Sequence, residues 1–570
     1  MTTYRPTITG QKHMISAGHY SATHAGFQIL EAGGNAIDAG VAAGMALGIL
    51  QTDRVNFAGV APIMIYLADK REVVNIDGLG TWPKAASLDY FIKEHGGKMP
   101  PGILRTVMPA APASWIMALA RYGTMSFGEV AREATRLARE GFAMHGFMQE
   151  YLADHEDSYR RWPSSAAVFL PKGRPPHVGE RFVQAELAAS LQYMADEEAA
   201  HKSKGRAAGL KAARDAFYKG DIAQKIAKYH KDNGGWVTAD DLATYEVSFE
   251  TPVRTNFHGV DVYACGPWTQ GPVLPQTLNL LSGFDLKAMG HNSAAYVHTL
   301  TEALKLSFAD RHRYYGDPKF VKVPLDVLLS QEYAAERRKL IRADAASPGM
   351  PHAGDIAGFP PGIPLPSVTP GDPNPPPDTS YVSVVDRHGN AFSATPSDGS
   401  SATPVIPGTG FCPSSRGSQS WTHPQHPAAL APGKRPRLTP NPAMALKDGK
   451  LLMPFGSPGN DIQPQAMTQV FLNIVVFGME PQAAVEAPRF ASYSYPSSSA
   501  PHAYHPGRLN LEARFDKGVT DQLAKLGHQV ALWPAVEWRA GAVCAVRVNE
   551  ENGLLEGAAD PRRPCYAMGI

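Results

Sequence analysis

Cysteine is scarce. The 570 residues hold four, Cys265, Cys412, Cys544 and Cys565, far apart and without the paired spacing of a zinc site. That excludes a disulfide-stapled scaffold and points to buried free thiols, as suits a reducing compartment. Neither charge sign dominates: 54 basic and 53 acidic side chains leave a net charge of +1. No basic stripe of the kind that grips a nucleic-acid backbone stands out. Long hydrophobic runs are missing too. The longest apolar stretch, 39–50, is too short to span a bilayer and carries several Gly and Ala. Residues 1–20 contain no signal-peptide core. The expectation is a cytoplasmic protein with neither nucleic acid nor membrane as partner. There is no internal repeat, no Gly-rich phosphate loop and no dinucleotide fingerprint, and no cofactor or metal is expected.

What is present is an ordinary globular composition, 44% hydrophobic and 19% charged, on a chain long enough for a large core. The first region alternates helix and strand. A helical run over 25–31 ends at Gly33-Gly34, and Asn35 opens a small-residue helix through about Leu50. Strands are expected at 61–67 and 72–76. Residues 125–345 are mainly helical, with apolar positions at helical spacing in 127–139, 185–197 and 296–309. Thr238 reads as the cap of a further short helix. Asn35 and Asp38 read as capping or turn residues. His423 and His426 lie between prolines, which favours a loop over a metal site.

The composition changes at about Ala343. From there to Asp378 the chain is rich in Pro and Gly, closing on Asn374-Pro375-Pro376-Pro377-Asp378. Such a stretch reads as a linker or an exposed polyproline loop. It divides the chain into 1–342, a pre-cleavage loop 343–378, and 379–570. Directly after it, 379–386 reads as a strand, Arg387-His388-Gly389-Asn390 as a tight turn, and 391–395 as the returning strand. A cleavable loop thus leads straight into a β-hairpin whose first residue is Thr379.

Several motifs in order carry a resemblance. They are Gly33-Gly34-Asn35-Ala36-Ile37-Asp38-Ala39, Ala309-Asp310-Arg311 with Tyr315-Gly316-Asp317-Pro318, and Gly456-Ser457-Pro458-Gly459. Ala487-Pro488-Arg489-Phe490 and Ala559-Asp560-Pro561-Arg562 complete the set. Each is weak alone. Together they resemble the gamma-glutamyltranspeptidase family from about Ser16 to Asp560. The resemblance implies an α+β fold, the Ntn-hydrolase αββα four-layer sandwich. It also implies a zymogen that cuts itself between Asp378 and Thr379 into a large and a small subunit, compatible with a dimer of such heterodimers. Thr379 then matches the nucleophile, and Ser397 the hydroxyl residue that hydrogen-bonds it. Gly459 and Asn460 match the glycine pair whose backbone N–H groups form the oxyanion hole, with Asn460 in the second glycine's place.

The chemistry explains the position. A Thr hydroxyl needs a base to take its proton. An internal Thr has only an amide nitrogen beside it, whereas the α-amine freed by cleavage has a reference pKa near ~8 and is a usable base.

Departures from the family bear on the substrate. Leu79 stands where members that bind a γ-glutamyl group carry the Arg that holds its α-carboxylate, and Leu offers no bidentate fork. Leu438-Thr439 corresponds to a carboxylate-binding Ser-Ser. No acid remains in 416–421 for the substrate ammonium. Trp82, Tyr381, Arg416, Ser418, Gln419 and Trp421 complete the expected pocket. This set is similar to the acylase and amidohydrolase branches of the family, acting on a small-molecule amide. Two other readings stay open: a genuine γ-glutamyltransferase with relocated contacts, and an uncleaved, non-catalytic binding protein.

Overall fold

A computed structural model describes residues 3–373 and 379–570. Asp378, the expected residue before the cleaved bond, lies outside them.

Two antiparallel seven-stranded sheets stack face to face. The first runs Tyr566–Gly569, Met14–Ala17, Val382–Val385, Ala391–Ala394, Ile63–Leu67, Glu72–Ile76 and Phe249–Glu250. The second runs Ile8–Gly10, Leu555–Ala559, Cys544–Val548, Lys450–Gly456, Ala443–Lys447, Val260–Ala264 and Val253–Phe257. Strand alternation sorts the side chains between layers. Val385, Ala391, Met14 and Met64 meet Met444, Leu446 and Val546 between the sheets. Val382, Val384, Phe392 and Ile65 face one helical layer. Ala443, Ala445, Phe455 and Ala545 face the other. The result is the αββα sandwich of the Ntn-hydrolases.

The hairpin expected after the Pro-rich loop occupies the middle of the first sheet. Val382–Val385 pairs with Ala391–Ala394 on one side and Met14–Ala17 on the other. Its turn closes as the residue types require, with Asp386 N–H donating to Asn390 O at 3.0 Å and Gly389 N–H to Asp386 O at 3.0 Å. Strands from 1–342 and from 379–570 are thus neighbours in both sheets, and a cut between them would leave the layers interlocked.

The small-residue helix is Ala36–Leu50, capped by Asn35 with Asp38 completing a capping box. All of its residues are buried. Its glycines are needed for close packing, since a Cβ on Gly40 would strike the Phe392 ring and one on Gly44 the Trp115 ring. The preceding helix starts earlier than its periodicity suggests, at Tyr20, because His19 Nδ1 accepts the Ser21 N–H at 3.1 Å and serves as N-cap. The other expected helices run Phe127–Glu140, Ala185–Ala200, Ala239–Thr244 and Ala294–Tyr314. All four cysteines are free and buried.

Residues 343–373 have no helix or strand, yet they are not a detached linker. Met350, Ile356 and Phe359 pack against the second helical core. Asp310 Oδ1 accepts the Gly354 N–H at 2.8 Å, and Thr369 and Tyr504 exchange hydrogen bonds of 2.8 and 3.0 Å. The segment is a strap lying across the helical layer.

No helix among the described residues is long and apolar enough to cross a membrane.

Candidate active site

Thr379 is the first described residue after the Pro-rich segment, and it is fully buried. Its φ is 93°, a left-handed value that a β-branched residue adopts only under strain. The surroundings hold it there. Its N–H donates to the Arg54 carbonyl at 2.9 Å, and its carbonyl accepts from Arg563 Nη1 at 3.2 Å. Its Oγ1 lies 2.6 Å from Ser397 Oγ.

Ser397 is fixed in turn. It forms a backbone bridge with Val60, and Arg416 Nη2 donates to its hydroxyl. Arg416 also faces Asp398, with Nε 3.7 Å from Oδ2. Burial pushes the Asp398 carboxyl up, against the pull of Arg416 and of hydrogen bonds from the Ser414 and Ser415 hydroxyls.

Arg416 opens the short 3₁₀ turn Arg416–Gln419, which reaches to the other half of the site. Gln419 Nε2 donates to Thr439 Oγ1 at 2.8 Å and its Oε1 accepts the Thr439 N–H at 3.1 Å. Thr439 Oγ1 donates to Asn460 Oδ1 at 3.3 Å. Asn460 follows Gly459 in a turn where both have positive φ, 120° and 53°. Among non-glycine residues Asn best tolerates the left-handed region, so the replacement of a second glycine fits the backbone. Successive N–H groups in such a turn form a concavity suited to an anion. Asp461, next in line, pairs with buried Arg311 and anchors the turn to the helix Ala294–Tyr314.

A cavity of about 90 Å³ opens beside this turn, lined by Gly459, Asn460, Ile462, Tyr493, Tyr495, Pro501 and His505 among others. Pro373, the last described residue of the strap, forms part of its wall.

The structure therefore joins Thr379, Ser397, Arg416, Gln419, Thr439, Gly459 and Asn460 through one chain of contacts, and Ser418 lies on the linking turn. The remaining expected pocket residues are packed elsewhere. Tyr381 points between the sheets and its hydroxyl lies 2.6 Å from Ser393 Oγ. Leu79 and Leu438 share an apolar cluster with Val60, Cys265 and Trp268. Trp82 sits among Phe91, Met99 and Leu430, its Nε1 donating to Ser420 Oγ at 2.9 Å. Trp421 is stacked between His426 and His502.

Two participants escaped sequence reasoning. Arg54 pairs with Asp53, and its guanidinium lies 3.7 Å above the Phe147 ring; burial and Arg563 lower its pKa to about 9. Arg563 directly follows the Asp560–Arg562 signature, which was its only signal. The signatures themselves serve the frame. Arg489 and Arg562 both pair with Asp560, at 2.9 and 3.1 Å, and Asp317 pairs with Arg435 at 2.7 Å.

The sequence model of the gamma-glutamyltranspeptidase family matches residues 22–570. The chain belongs to that family. It is similar to the Acylase ACY 1 proenzyme of Pseudomonas sp. (strain SE83), 34% identical over 98% of this chain and 93% of that one. It is likewise similar to the Glutathione hydrolase-like YwrD proenzyme of Bacillus subtilis (strain 168), 32% identical over 99% of each. Among solved structures, the cephalosporin acylase from Bacillus halodurans superposes with a TM-score of 0.85 at 27% identity, covering 100% of this chain and 98% of that one. The gamma-glutamyltranspeptidase-like, Ntn-type amidohydrolases are thus the enzymes to which this chain is related.

Proposed function

We propose that the protein is an autoprocessed N-terminal-threonine amidohydrolase that cleaves an amide through an acyl-enzyme on Thr379. The observation that carries this reading is the strained, buried Thr379 with its hydroxyl 2.6 Å from Ser397 Oγ. Positive φ at a β-branched residue costs on the order of 1–3 kcal/mol. Cleaving the bond before it relieves that strain.

In the first step Thr379 Oγ adds to the Asp378 carbonyl carbon. The Asp378 C–N bond breaks and the hydroxyl proton passes to the nitrogen. Water then hydrolyses the resulting ester, leaving Asp378 as a carboxylate and Thr379 with a free α-amine. Ser397, held by Arg416, orients the hydroxyl in both states. Arg54 and Arg563 contact the Thr379 backbone, and Arg416 reaches its hydroxyl through Ser397. The freed amine, with a reference pKa near ~8, accepts the hydroxyl proton in its neutral form when Thr379 attacks substrate. Backbone N–H groups of Gly459 and Asn460 hold the oxyanion, and a donor of this kind is worth roughly 2.7–4 kcal/mol. Collapse expels the amine with that proton, and water hydrolyses the acyl-enzyme.

An apolar or aromatic acyl group is the favoured substrate class. Ile462, Tyr493, Tyr495 and Pro501 line the cavity, Leu79 and Leu438 offer no carboxylate contact, and Arg416 is engaged by Ser397 and Asp398. The acylase relative supports cleavage of an acyl amide. The test is a mass time course of the small fragment with amide substrates. Transient acylation on Thr379 followed by hydrolysis supports the scheme. Product release without an acyl-enzyme contradicts it, and robust turnover of a γ-glutamyl anilide would make the protein a γ-glutamyl enzyme instead.

A further inference from the structure

Behind the Gly459–Asp461 turn lies a group of buried donors that the chemistry above does not use. Arg437 is fully buried (0% exposed), and its Nη1 donates to the Arg311 carbonyl at 3.2 Å. Its Nε and Nη2 have no protein acceptor among the described residues. The acid acting on it is Asp461, which already accepts from Arg311, from the Ser498 hydroxyl at 2.6 Å and from the Ser498 N–H at 2.8 Å. Two arginines thus share one carboxylate in the interior, leaving one positive charge unmatched. A buried charge without a partner is among the costliest arrangements in a fold.

The neighbours add donors and no acid. Trp421 is sandwiched between His426, at 4.3 Å and 10° between ring planes, and His502, at 3.8 Å and 8°. His312 lies 5.0 Å from both Trp421 and His426. His426 Nδ1 accepts the Ala428 N–H at 2.9 Å, so in the neutral ring the proton sits on Nε2. That Nε2–H, the Trp421 Nε1–H and both ring nitrogens of His312 have no protein partner among the described residues. Burial and the charge of Arg437 hold His312 and His426 neutral. Buried polar groups are nearly always hydrogen-bonded, and here several donors from three segments are left over in one place.

We propose that Arg437, His312, Trp421 and His426 form a closed binding site for one small monovalent anion, a halide or a carboxylate of formate size. An anion supplies acceptors for these donors and cancels the unmatched charge, whereas water does only the first. The site adjoins the oxyanion turn from behind. Arg437 leads through Leu438 to Thr439, which donates to Asn460, and Arg311 pairs with Asp461. Bound anion therefore steadies the turn that presents Gly459 and Asn460. His502 stacks on the Trp421 ring from the segment 499–503, part of which walls the cavity.

The test has two parts. Crystals of the full chain soaked in sodium bromide and measured at the bromine edge should show an anomalous peak in contact with Arg437 Nε or Nη2 and Trp421 Nε1. In solution, protein exchanged into sodium gluconate should gain thermal stability on titration with sodium bromide or sodium formate at constant ionic strength, saturating as a single site does. Response to bromide assigns a halide, and response to formate alone assigns a carboxylate. Trp421→Phe keeps the stack and removes one donor, so the apparent Kd should weaken about tenfold, the worth of one hydrogen bond to a charged acceptor. Arg437→Met should abolish the response. Equal melting in gluconate, bromide and formate, with waters and no bromine signal at these nitrogens, overturns the proposal whether or not Arg437→Met folds.

Discussion

The hydroxyl oxygens of Thr379 and Ser397 lie 2.6 Å apart, and neither residue is exposed. Ser397 in turn accepts from Arg416, which is itself buried against Asp398. A surface Thr at the end of a flexible loop would have none of these constraints. Substituting Thr379→Ala should leave a folded, uncut chain with no amidase activity. Ser397→Ala removes the partner of the hydroxyl together with an acceptor of Arg416, and should slow self-cleavage by at least about tenfold, the worth of one hydrogen bond. Gel densitometry over time measures both.

The turn proposed to hold the oxyanion makes an opposite pair of predictions. Gly459 has φ 120°, outside the range of ordinary side chains, so Gly459→Ala should displace the turn and lower kcat by ~10²–10³. Asn460→Gly keeps a backbone that suits φ 53° and loses the side-chain contact with Thr439, so kcat should change by no more than about tenfold. Steady-state kinetics of the two variants on one amide separates backbone donation from any role of the Asn side chain.

Leu79 is 1% exposed among Val60, Cys265, Trp268 and Leu438. Restoring an arginine there would not restore glutamate binding. Leu79→Arg buries a charge with no acid in that cluster and should lower stability by at least about 3 kcal/mol. It should not raise γ-glutamyl anilide turnover. Urea unfolding and the anilide assay check the two halves of this statement.

Stability should fall on acidification, beginning near neutrality. Burial lowers the pKa of His19 and His230 to about 3, and of His145 and His502 to about 4. Each starts from an unfolded value near 6.5, so below that pH the unfolded chain binds protons that the folded one refuses. This stabilisation is complete above pH 6.5 and is lost as pH falls toward about 4. The slope is about 1.4 kcal/mol per pH unit for each histidine that stays neutral. Urea midpoints that are flat from pH 7 to 5 would contradict it.

Much of the frame was legible because local and tertiary signals agree. The hairpin after Thr379 follows from alternation and an Asp-to-Asn turn. The Ala36–Leu50 helix follows from Asn35 and Asp38, although burial on every side leaves it no amphipathic period. The strap was not legible: Met350, Ile356 and Phe359 are spaced irregularly among prolines and dock one at a time. At the site, alignment fixes a residue's place along the backbone but not the direction of its side chain. Tyr381 turns between the sheets because Val382 and Val384 face the helices. Trp421 turns away because two imidazoles bracket it. Arg563 reaches Thr379 from 184 residues along the chain, a contact that no local spacing encodes.

The central claim is the cut before Thr379, and intact mass of the purified protein after incubation at neutral pH tests it most directly. The account predicts two fragments that together make up the 61.3 kDa chain plus one water, with the smaller beginning at Thr379. A single uncut chain, or a fragment with any other first residue, would contradict it.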